Sequence, residues 1–438
     1  MAIAFTHAHV LTMTSAKPLI DHTVLVEGGT ISAIGPTRDL RVPADVGVVD
    51  VAGKTLMPGL CDMHVHIVPT QDDEASEVNR LGALAMARQY LAVVLAGGVT
   101  TVRNMAGTPF HLRLRSLVRS GDVVGPRIFT AGPLLETSFT LPGMEDSGEL
   151  VKTPGEARAA VLRHRDAGYD CIKVYNQLDA GIYDEIVRTC REVGLQVVGH
   201  VAFSKGLSGA LEAGQDSIEH FRSYDFALDV RGPEFPGARF VGWLHTTPAR
   251  VREVAERTAS AQVWNVPTLG IERGLAGLKH RAQGDDTSWL PPWMRQMLER
   301  LDLAGVFTPE QIDAIARGAP VRLELLAALD RAGAPLMAGT DCPGCGLIPG
   351  RSLLQELELY VEAGLSPYRA LQTATSEPAR FLGKSDEWGQ LAVGMAADLL
   401  VLDRSPLEDI TALREQAGVM TQGRWLPTAA IRELILAA

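Results

Sequence analysis

From residue 57 onward, short apolar segments alternate with longer segments rich in Ala, Arg, Glu and Leu. Short apolar runs that alternate with helical patterns indicate β-α-β units and a parallel sheet. We predict strands at 56–66, 98–105, 126–132, 171–175, 195–201, 216–220, 261–268 and 335–341. Eight such units predict an α/β protein with a (β/α)8 (TIM) barrel, whose active site lies at the carboxyl ends of the strands.

The two ends of the chain have a different pattern, with β-branched residues and Gly-rich turns. We predict that residues 1–56 and 385–438 form one small composite β-sandwich domain, and that residues 57–384 form the barrel. Two insertions interrupt the barrel pattern near 221–260 and 269–320. Long loops on the catalytic face are usually lids or substrate walls, and a dimer contact is the alternative.

Composition and charge exclude several classes of partner. The chain is 46% hydrophobic and 21% charged, as is usual for a globular protein. Its net charge of −11 argues against nucleic acid or an anionic membrane as partner. No apolar stretch is long enough for a membrane span. Five cysteines in a chain of this length do not indicate a disulfide framework, so we expect a cytoplasmic protein.

Two histidines, His64 and His66, end the first predicted barrel strand in the stretch MPGLCDMHVHIVP. Side chains at positions i and i+2 of a strand point to the same face, so both imidazoles can reach one ion. A second pair with this spacing, His7 and His9, lies in the N-terminal β-segment, away from any barrel strand end. We interpret that second pair as surface residues. The remaining histidines on predicted helices or insertions are also expected at the surface: His111, His164, His245 and His280.

Other ionisable side chains lie at the ends of other predicted strands. Lys173 lies in strand four, His200 in strand five, His220 in strand six and Asp341 in strand eight. Because barrel strands converge at their carboxyl ends, these groups are expected to meet His64 and His66. Imidazoles suit zinc, while a carboxylate adds a hard oxygen and a proton acceptor. We therefore predict a metal centre, with zinc favoured and manganese, cobalt or iron possible.

Lys173 lies in the apolar run CIKVY, where a charged amine is costly to bury. One solution is a carboxylate partner at the mouth of the barrel. The other is carbamylation by CO2, which converts the amine into an anion that can bridge two metal ions. Carbamylation removes the buried cation altogether, and we take it as the working hypothesis.

As a set, the segments PGLCDMHVH, IKVY, VVGHV, SIEH and AGTD resemble the amidohydrolase superfamily of metal-dependent hydrolases. The nearest resemblance is to its imidazolonepropionase-like and Xaa-Pro dipeptidase-like members. The resemblance implies that His64, His66 and Asp341 hold the more buried of two divalent ions. It implies that His200 and His220 hold the more exposed ion and that carbamylated Lys173 bridges both. It also implies a homo-oligomer.

The expected reaction is hydrolysis of a C–N bond of the amide type in a small substrate that bears a carboxylate. A metal-bridging hydroxide would attack the carbonyl. Asp341 would shuttle the proton to the leaving amine, and His220 or a nearby donor would steady the oxyanion. Tyr175, Arg222 and Tyr224 are the candidate substrate contacts, because they follow Lys173 and His220 closely in sequence.

Three alternatives remain open at this stage. The first is a deaminase or cyclic-amidine hydrolase with one metal ion and an unmodified Lys173. The second is an esterase or lactonase. The third is a barrel that binds without catalysis, which is disfavoured because all six ligand positions are filled: His64, His66, Lys173, His200, His220 and Asp341.

Overall fold

The structure is a computed structural model that describes residues 2–69, 77–140, 144–232, 240–276, 286–301 and 307–437. The strands are β1 Ala2–Val10, β2 Leu19–Glu27, β3 Thr30–Pro36, β4 Gly47–Asp50, β5 Thr55–Pro58, β6 Leu60–Val65, β7 Val99–Asn104, β8 Arg127–Thr130, β9 Leu134–Glu136, β10 Gly148–Leu150, β11 Cys171–Val174, β12 Gln196–Gly199, β13 Ser217–Glu219, β14 Trp264–Val266, β15 Leu399–Leu402, β16 Gln416–Thr421 and β17 Arg424–Pro427.

The α-helices fall mainly between these strands. They are α1 Glu77–Ala96, α2 Pro109–Ser120, α3 Pro154–Ala167, α4 Ala180–Val193, α5 Gly206–Ala213, α6 Tyr224–Leu228, α7 Pro248–Ala261, α8 Leu269–Leu275, α9 Pro292–Arg300, α10 Pro309–Ala332, α11 Arg351–Glu362, α12 Pro367–Thr373, α13 Ser376–Phe381 and α14 Thr428–Leu436. None of these helices is both long enough and apolar enough to cross a bilayer.

Strands from both ends of the chain form one eight-stranded sheet. Its order is β17-β16-β15-β5-β1-β2-β3, and β4 pairs with β1. The link between the two ends is the antiparallel pairing of β15 with β5, in which Leu399 lies opposite Pro58. Phe5, Val24 and Met420 are among the buried side chains that pack this sheet. The two termini are therefore joined by backbone hydrogen bonds, while the division into a β-sandwich and a barrel domain stays a prediction.

The central strands are all parallel. One sheet has the order β6-β7-β8 and the other β10-β9-β11-β12-β13-β14. Isolated parallel bridges extend the pairing: Ala131 with Cys171, Asn265 with Leu336, and Val65 with Cys342. The fold is therefore mixed α/β with parallel sheets. The eighth predicted strand, 335–341, makes bridges at its ends but no regular strand.

Helix boundaries follow local sequence chemistry. Helix α3 begins at Pro154, after Thr153 accepts a hydrogen bond from the Glu156 amide, and Gly168 ends it with φ 87°. A hydroxyl cap at the start and a glycine in the left-handed region at the end are the usual helix signals. Gly194 ends α4 in the same way. Helix α4 connects the neighbouring parallel strands β11 and β12 and so brings their carboxyl ends to one edge.

The predicted insertions contain helices in their described parts. Helices α6 and α7 lie in or at the end of 221–260, and α8, α9 and the start of α10 lie in 269–320. Parts of both insertions, 233–239, 277–285 and 302–306, lie outside the described residues. The described helices pack on one another, as α10 does on α7 and α8.

The expectation that four histidines lie at the surface is wrong for two of them. His111 is buried at the start of α2, where it shares a capping box with Thr108 and its Nε2 lies 3.0 Å from the Ile67 carbonyl oxygen. His164 is buried with its Nε2 2.9 Å from Glu149. Each ring has a polar partner in the interior for at least one of its nitrogens, which a helical pattern does not reveal. His245 is partly exposed, and His280 lies outside the described residues.

Gly97, just after α1, lies against the backbone of Gly350, and a Cβ at this position would be 2.3 Å from the Gly350 carbonyl carbon. Gly97→Ala should therefore lower the free energy of unfolding by about 1–3 kcal/mol, because two backbone segments must separate. A Cβ at Gly82, inside α1, would meet nothing within 4 Å, so Gly82→Ala should stabilise the protein by up to about 1 kcal/mol. Urea unfolding of both variants measures the difference, and equal effects would contradict the close approach.

Candidate metal centre

Three predicted ligands meet at the carboxyl edge of the parallel strands. His64 Nε2 lies 3.2 Å and His66 Nε2 3.1 Å from Asp341 Oδ1. One ligand atom from each of the three residues lies within 4.8 Å of the others. Asp341 is held there by its own backbone, because its amide donates to the His64 carbonyl at 2.7 Å. Residues 277 positions apart in sequence are thus joined by a main-chain hydrogen bond.

The position of the His64 proton leaves a nitrogen lone pair free to bind a cation. His64 Nδ1 lies 2.8 Å from the Glu219 carboxylate, which also accepts from Arg103, so Nδ1 carries the proton and Nε2 presents a lone pair. His64 Nε2 is buried and makes no hydrogen bond within the described residues. A lone pair facing a carboxylate oxygen is unfavourable unless a cation lies between them. This buried nitrogen is therefore suited to a divalent ion.

The protonation states support the same conclusion. Burial and the neighbouring Lys173 amine lower the pKa of His66 to about 4, so its imidazole is neutral at neutral pH. Burial would raise the pKa of Asp341, but His220 and His64 outweigh that effect and hold the pKa well below its usual range. A neutral imidazole and an ionised carboxylate are the forms that bind metals.

His200 and His220 lie on the other side of His64. The ring centroids of His64 and His220 are 4.5 Å apart, and those of His200 and His220 are 4.9 Å apart. Burial is the main cause that lowers the pKa of both His200 and His220 well below the usual histidine value. The structure therefore brings all four predicted histidines together, although only two of them belong to the tight cluster with Asp341.

Lys173 is buried at the same edge, with its Nζ 5.9 Å from the centre of the Tyr175 ring. Among the described residues no carboxylate lies within 4.0 Å of this amine, so the ion pair considered from the sequence is not present there. Burial lowers the pKa of Lys173 to about 8. A buried amine of this kind is partly uncharged near neutral pH.

Several site residues have a left-handed backbone. His220 has φ 61°, Thr268 φ 50° and Asp341 φ 62°, which is uncommon for residues other than glycine. Such conformations usually occur where the surrounding structure enforces them, often at functional sites. At His220 the consequence is direct: Glu219 and His220 are consecutive, yet both lie beside the His64 ring. In a regular strand they would point to opposite faces.

Two charged residues of the site were missed by the sequence reasoning, Arg103 and Glu219. Both are fully buried, and Arg103 Nη2 donates to Glu219 Oε1 at 2.8 Å. Burial would raise the pKa of Glu219, but the Arg103 charge and the hydrogen bond to His64 outweigh that effect and lower the pKa to about 2. The sequence could have indicated both residues, because each is a charged side chain inside a predicted buried strand and buried charges need partners.

The three predicted substrate contacts have different surroundings. Tyr175 stacks on the His200 ring with a centroid distance of 4.0 Å. Arg222 is partly exposed and close enough to His200 to contribute to its lowered pKa. Tyr224 is fully buried and its hydroxyl donates to Asn265 Oδ1 at 2.8 Å, so the structure does not bring it to the site. Tyr224 follows the left-handed His220–Phe221 turn, and it begins α6 facing the core.

A parallel α/β sheet with a His-His-Asp cluster at its carboxyl edge is typical of a metal-dependent hydrolase. The family comparison makes this specific, because residues 55–426 match the model of the amidohydrolase family. The chain belongs to the amidohydrolase family and is a hydrolase.

Individual relatives cover nearly the whole chain at low identity. Ochratoxinase from Aspergillus niger is 23% identical over 457 residues, covering 95% of this chain and 84% of the relative. Imidazolonepropionase from Aeromonas hydrophila subsp. hydrophila is 24% identical, covering 87% and 85%. The crystal structure of a Xaa-Pro dipeptidase with bound methionine in the active site superposes with a TM-score of 0.72 at 22% identity, covering 98% of this chain and all of that one. The last likeness concerns the fold alone.

Zinc added to the metal-free protein should raise its melting temperature. An ion that binds only the folded state increases the free energy of unfolding by about 3 kcal/mol when its free concentration is 100 times its Kd. His66→Ala removes one of the converging nitrogens and should abolish most of this rise. His9→Ala is the matched control, since His9 belongs to the other His-x-His pair, on β1. Scanning fluorimetry with and without zinc measures the rise, and an unchanged rise in His66→Ala would rule out this centre.

Proposed function

We propose that this protein hydrolyses a C–N bond of the amide type in a small substrate that carries a carboxylate, using bound divalent metal ions. The observation that carries this proposal is the convergence of His64 Nε2, His66 Nε2 and Asp341 Oδ1, with the proton of the His64 ring on the opposite nitrogen, Nδ1. Membership of the amidohydrolase family supports hydrolysis.

We further infer that the parallel strands close into a (β/α)8 barrel. In support, the three parallel isolated bridges connect the residue after β8 to β11, β14 to residue 336, and residue 342 back to β6. A closed ring of strands would direct all their carboxyl ends towards one axis. The sheet shared by the two termini would then be a separate, composite β-domain beside the barrel.

The proposed ligand assignment follows the grouping of the side chains. His64, His66 and Asp341 would hold one ion, and His200 and His220 a second. Carbamylated Lys173 would bridge the two ions. Zinc suits this set of nitrogen and oxygen donors, and manganese, cobalt or iron are alternatives.

Carbamylation of Lys173 is supported by its surroundings. The amine is 2% exposed, its pKa is lowered to about 8 mainly by burial, and no described carboxylate pairs with it. The uncharged fraction of the amine can attack CO2. The nitrogen then loses one proton to solvent, and the carbamate formed is an anion. Conversion to an anion would add the negative charge that two divalent ions require.

The ions, when bound, would polarise the substrate carbonyl and lower the pKa of water. Asp341 would accept the proton of the attacking water and deliver it to the leaving nitrogen, acting first as base and then as acid. Its side chain is 20% exposed, so it can exchange protons with a bound substrate. Its Oδ1 lies 3.2 Å from His64 Nε2 and 3.1 Å from His66 Nε2.

His220 has one nitrogen free for a role in the reaction, because Thr268 Oγ1 lies 2.6 Å from Nδ1. Its Nε2 can hold the second ion or donate a hydrogen bond to the oxyanion, and it cannot do both at once. In a two-ion enzyme we assign it as a ligand. In a one-ion enzyme it would be the oxyanion donor.

Arg222 and Tyr175 are the proposed substrate contacts. Arg222 Nε is buried without a hydrogen bond inside the described part of the chain. A guanidinium with an unused donor beside the site is suited to a substrate carboxylate. Tyr175 covers one face of His200 and would form the adjacent wall.

A deaminase or cyclic-amidine hydrolase with one ion is the second candidate function. It is favoured by the composition of the tight cluster, which contains His64, His66 and Asp341 but not His200 or His220. Metal analysis separates the two candidates. Two ions per chain, falling to one in Lys173→Ala, support the first, and one ion per chain in both proteins supports the second.

The cellular setting is also proposed. All five cysteines are free, and four of them are buried. This agrees with the reducing cytoplasm predicted from the sequence. We propose a cytoplasmic homo-oligomer that acts on a small molecule, without nucleic acid or membrane as partner.

A screen of N-acyl amino acids and dipeptides should reveal hydrolysis, and Asp341→Asn should reduce turnover by about 100- to 10,000-fold because the proton shuttle is lost. The exposed carboxylate of Asp403 is the control, and Asp403→Asn should keep full activity. Metal content and melting temperature are measured alongside. An Asp341→Asn variant that binds metal and retains full turnover would exclude the proposed role.

Arg222→Met should raise KM for substrates with a free carboxylate by about 10- to 100-fold, the effect of one hydrogen bond to a charged group. kcat should change little if the contact is equal in the ground and transition states. The corresponding substrate amides, which lack the charge, should be unaffected. Arg250→Met, in α7, is the control. Equal losses on charged and uncharged substrates would contradict a carboxylate contact.

A further inference from the structure

Three histidines of the centre use Nδ1 in the same way. The partners of this nitrogen are side-chain oxygens from other strands or loops: Glu219 Oε2 for His64 at 2.8 Å, Asn176 Oδ1 for His200 at 2.9 Å and Thr268 Oγ1 for His220 at 2.6 Å. In each ring Nε2 is left for a ligand. Such contacts to the outer nitrogen orient a metal-binding histidine and select its tautomer.

The partner of His64 differs from the other two, because it is charged. Asn176 and Thr268 offer neutral oxygens, whereas Glu219 is a carboxylate that is wholly buried. An ionised carboxylate polarises the imidazole N–H bond and makes the opposite nitrogen a stronger electron donor. Within the described histidines of the centre, His64 alone is arranged in this way.

Glu219 is itself fixed from several sides. Arg103 donates to Oε1 at 2.8 Å, and the Ser217 hydroxyl donates to the same oxygen at 2.5 Å. Arg103 is anchored in turn by its Nε, which donates to the Met63 carbonyl at 2.7 Å. The carboxylate therefore has one oxygen committed to Arg103 and Ser217, while the other contacts His64.

The opposite charges of Arg103 and Glu219 compensate one another in the interior. A buried ion pair of this kind often adds little to stability, because both charges lose their hydration. Apolar residues would fill the same space at lower cost. The pair is therefore better explained by what it does to the ring that it touches.

We propose that Glu219, held by Arg103, is a positioning residue that fixes the His64 tautomer and strengthens its Nε2 as a metal ligand. This inference rests on the proposed function, in which His64 binds the more buried ion. According to this proposal, the negative charge of Glu219 raises the affinity for that ion although Glu219 does not contact the ion. Thr268 would orient His220 in the same manner without the added charge.

The test is Glu219→Gln, which keeps the size of the side chain and removes its charge. Zinc affinity at the more buried site, measured by competition with a chromophoric chelator, should fall by about 10- to 100-fold. Thr268→Val is the matched control, since it removes the neutral partner of His220. It should weaken the second zinc ion and leave the first unchanged.

A second readout does not require metal or activity. In long-range 1H–15N spectra of the metal-free wild-type protein, His64 should be the tautomer protonated at Nδ1. In Glu219→Gln the spectrum should show a mixture of both tautomers. This measurement tests the positioning role even if the wild-type protein does not bind zinc. A failure to bind zinc would contradict the proposed function, not the positioning role.

Removing one member of a buried ion pair can prevent folding, because the other charge is left unpaired. The double variant Arg103→Met with Glu219→Gln avoids this, and near-UV circular dichroism checks that it is folded. The double variant should show the same loss of zinc affinity and the same mixture of tautomers. Wild-type affinity together with a wild-type His64 tautomer in a folded variant would overturn the proposal.

Discussion

His64 Nε2 and His66 Nε2 each lie about 3 Å from Asp341 Oδ1 at the end of the parallel strands, and the proton of the His64 ring is placed by Glu219 on the opposite nitrogen, Nδ1. Unpaired acceptors at this separation repel one another, so the arrangement is stable only where a cation neutralises it or the surrounding structure enforces it. The surrounding structure contributes strongly, because Glu219 contacts His64 Nδ1 and is itself held by Arg103. The close approach of His64, His66 and Asp341 is thus the constraint that the neighbouring side chains must accommodate.

The backbone is strained at several residues of this centre. His220, Thr268 and Asp341 all have left-handed conformations, which cost about 1–3 kcal/mol each when no glycine is present. Compensating contacts lie nearby. Asp341 is held by its amide hydrogen bond to His64, and Glu356 accepts the amides of the two residues after Thr268 at 2.8 Å each. Strain and its compensation therefore occur in the same few residues.

Much of the centre could be predicted from residue type and position. His64 and His66 share a face because a strand has a period of two, and Asp341 meets them because parallel strands share an edge. Tyr224 could not be placed, since a turn after His220 directs it into the core, where it bonds Asn265. The burial of His111 and His164 was also missed, because their partners are distant in sequence and no helical pattern encodes them.

The sequence by itself determined the parallel α/β architecture, the family and the strand ends at which the candidate ligands lie, because hydrophobic periodicity and local motifs are properties of neighbouring residues. Only the tertiary structure decided which oxygen meets each imidazole. Glu219 and His64 are 155 residues apart, and Glu219 reaches the ring beside His220 because the positive φ of His220 interrupts strand alternation. Contacts that depend on a local exception to periodicity and on long-range closure cannot be derived from periodicity.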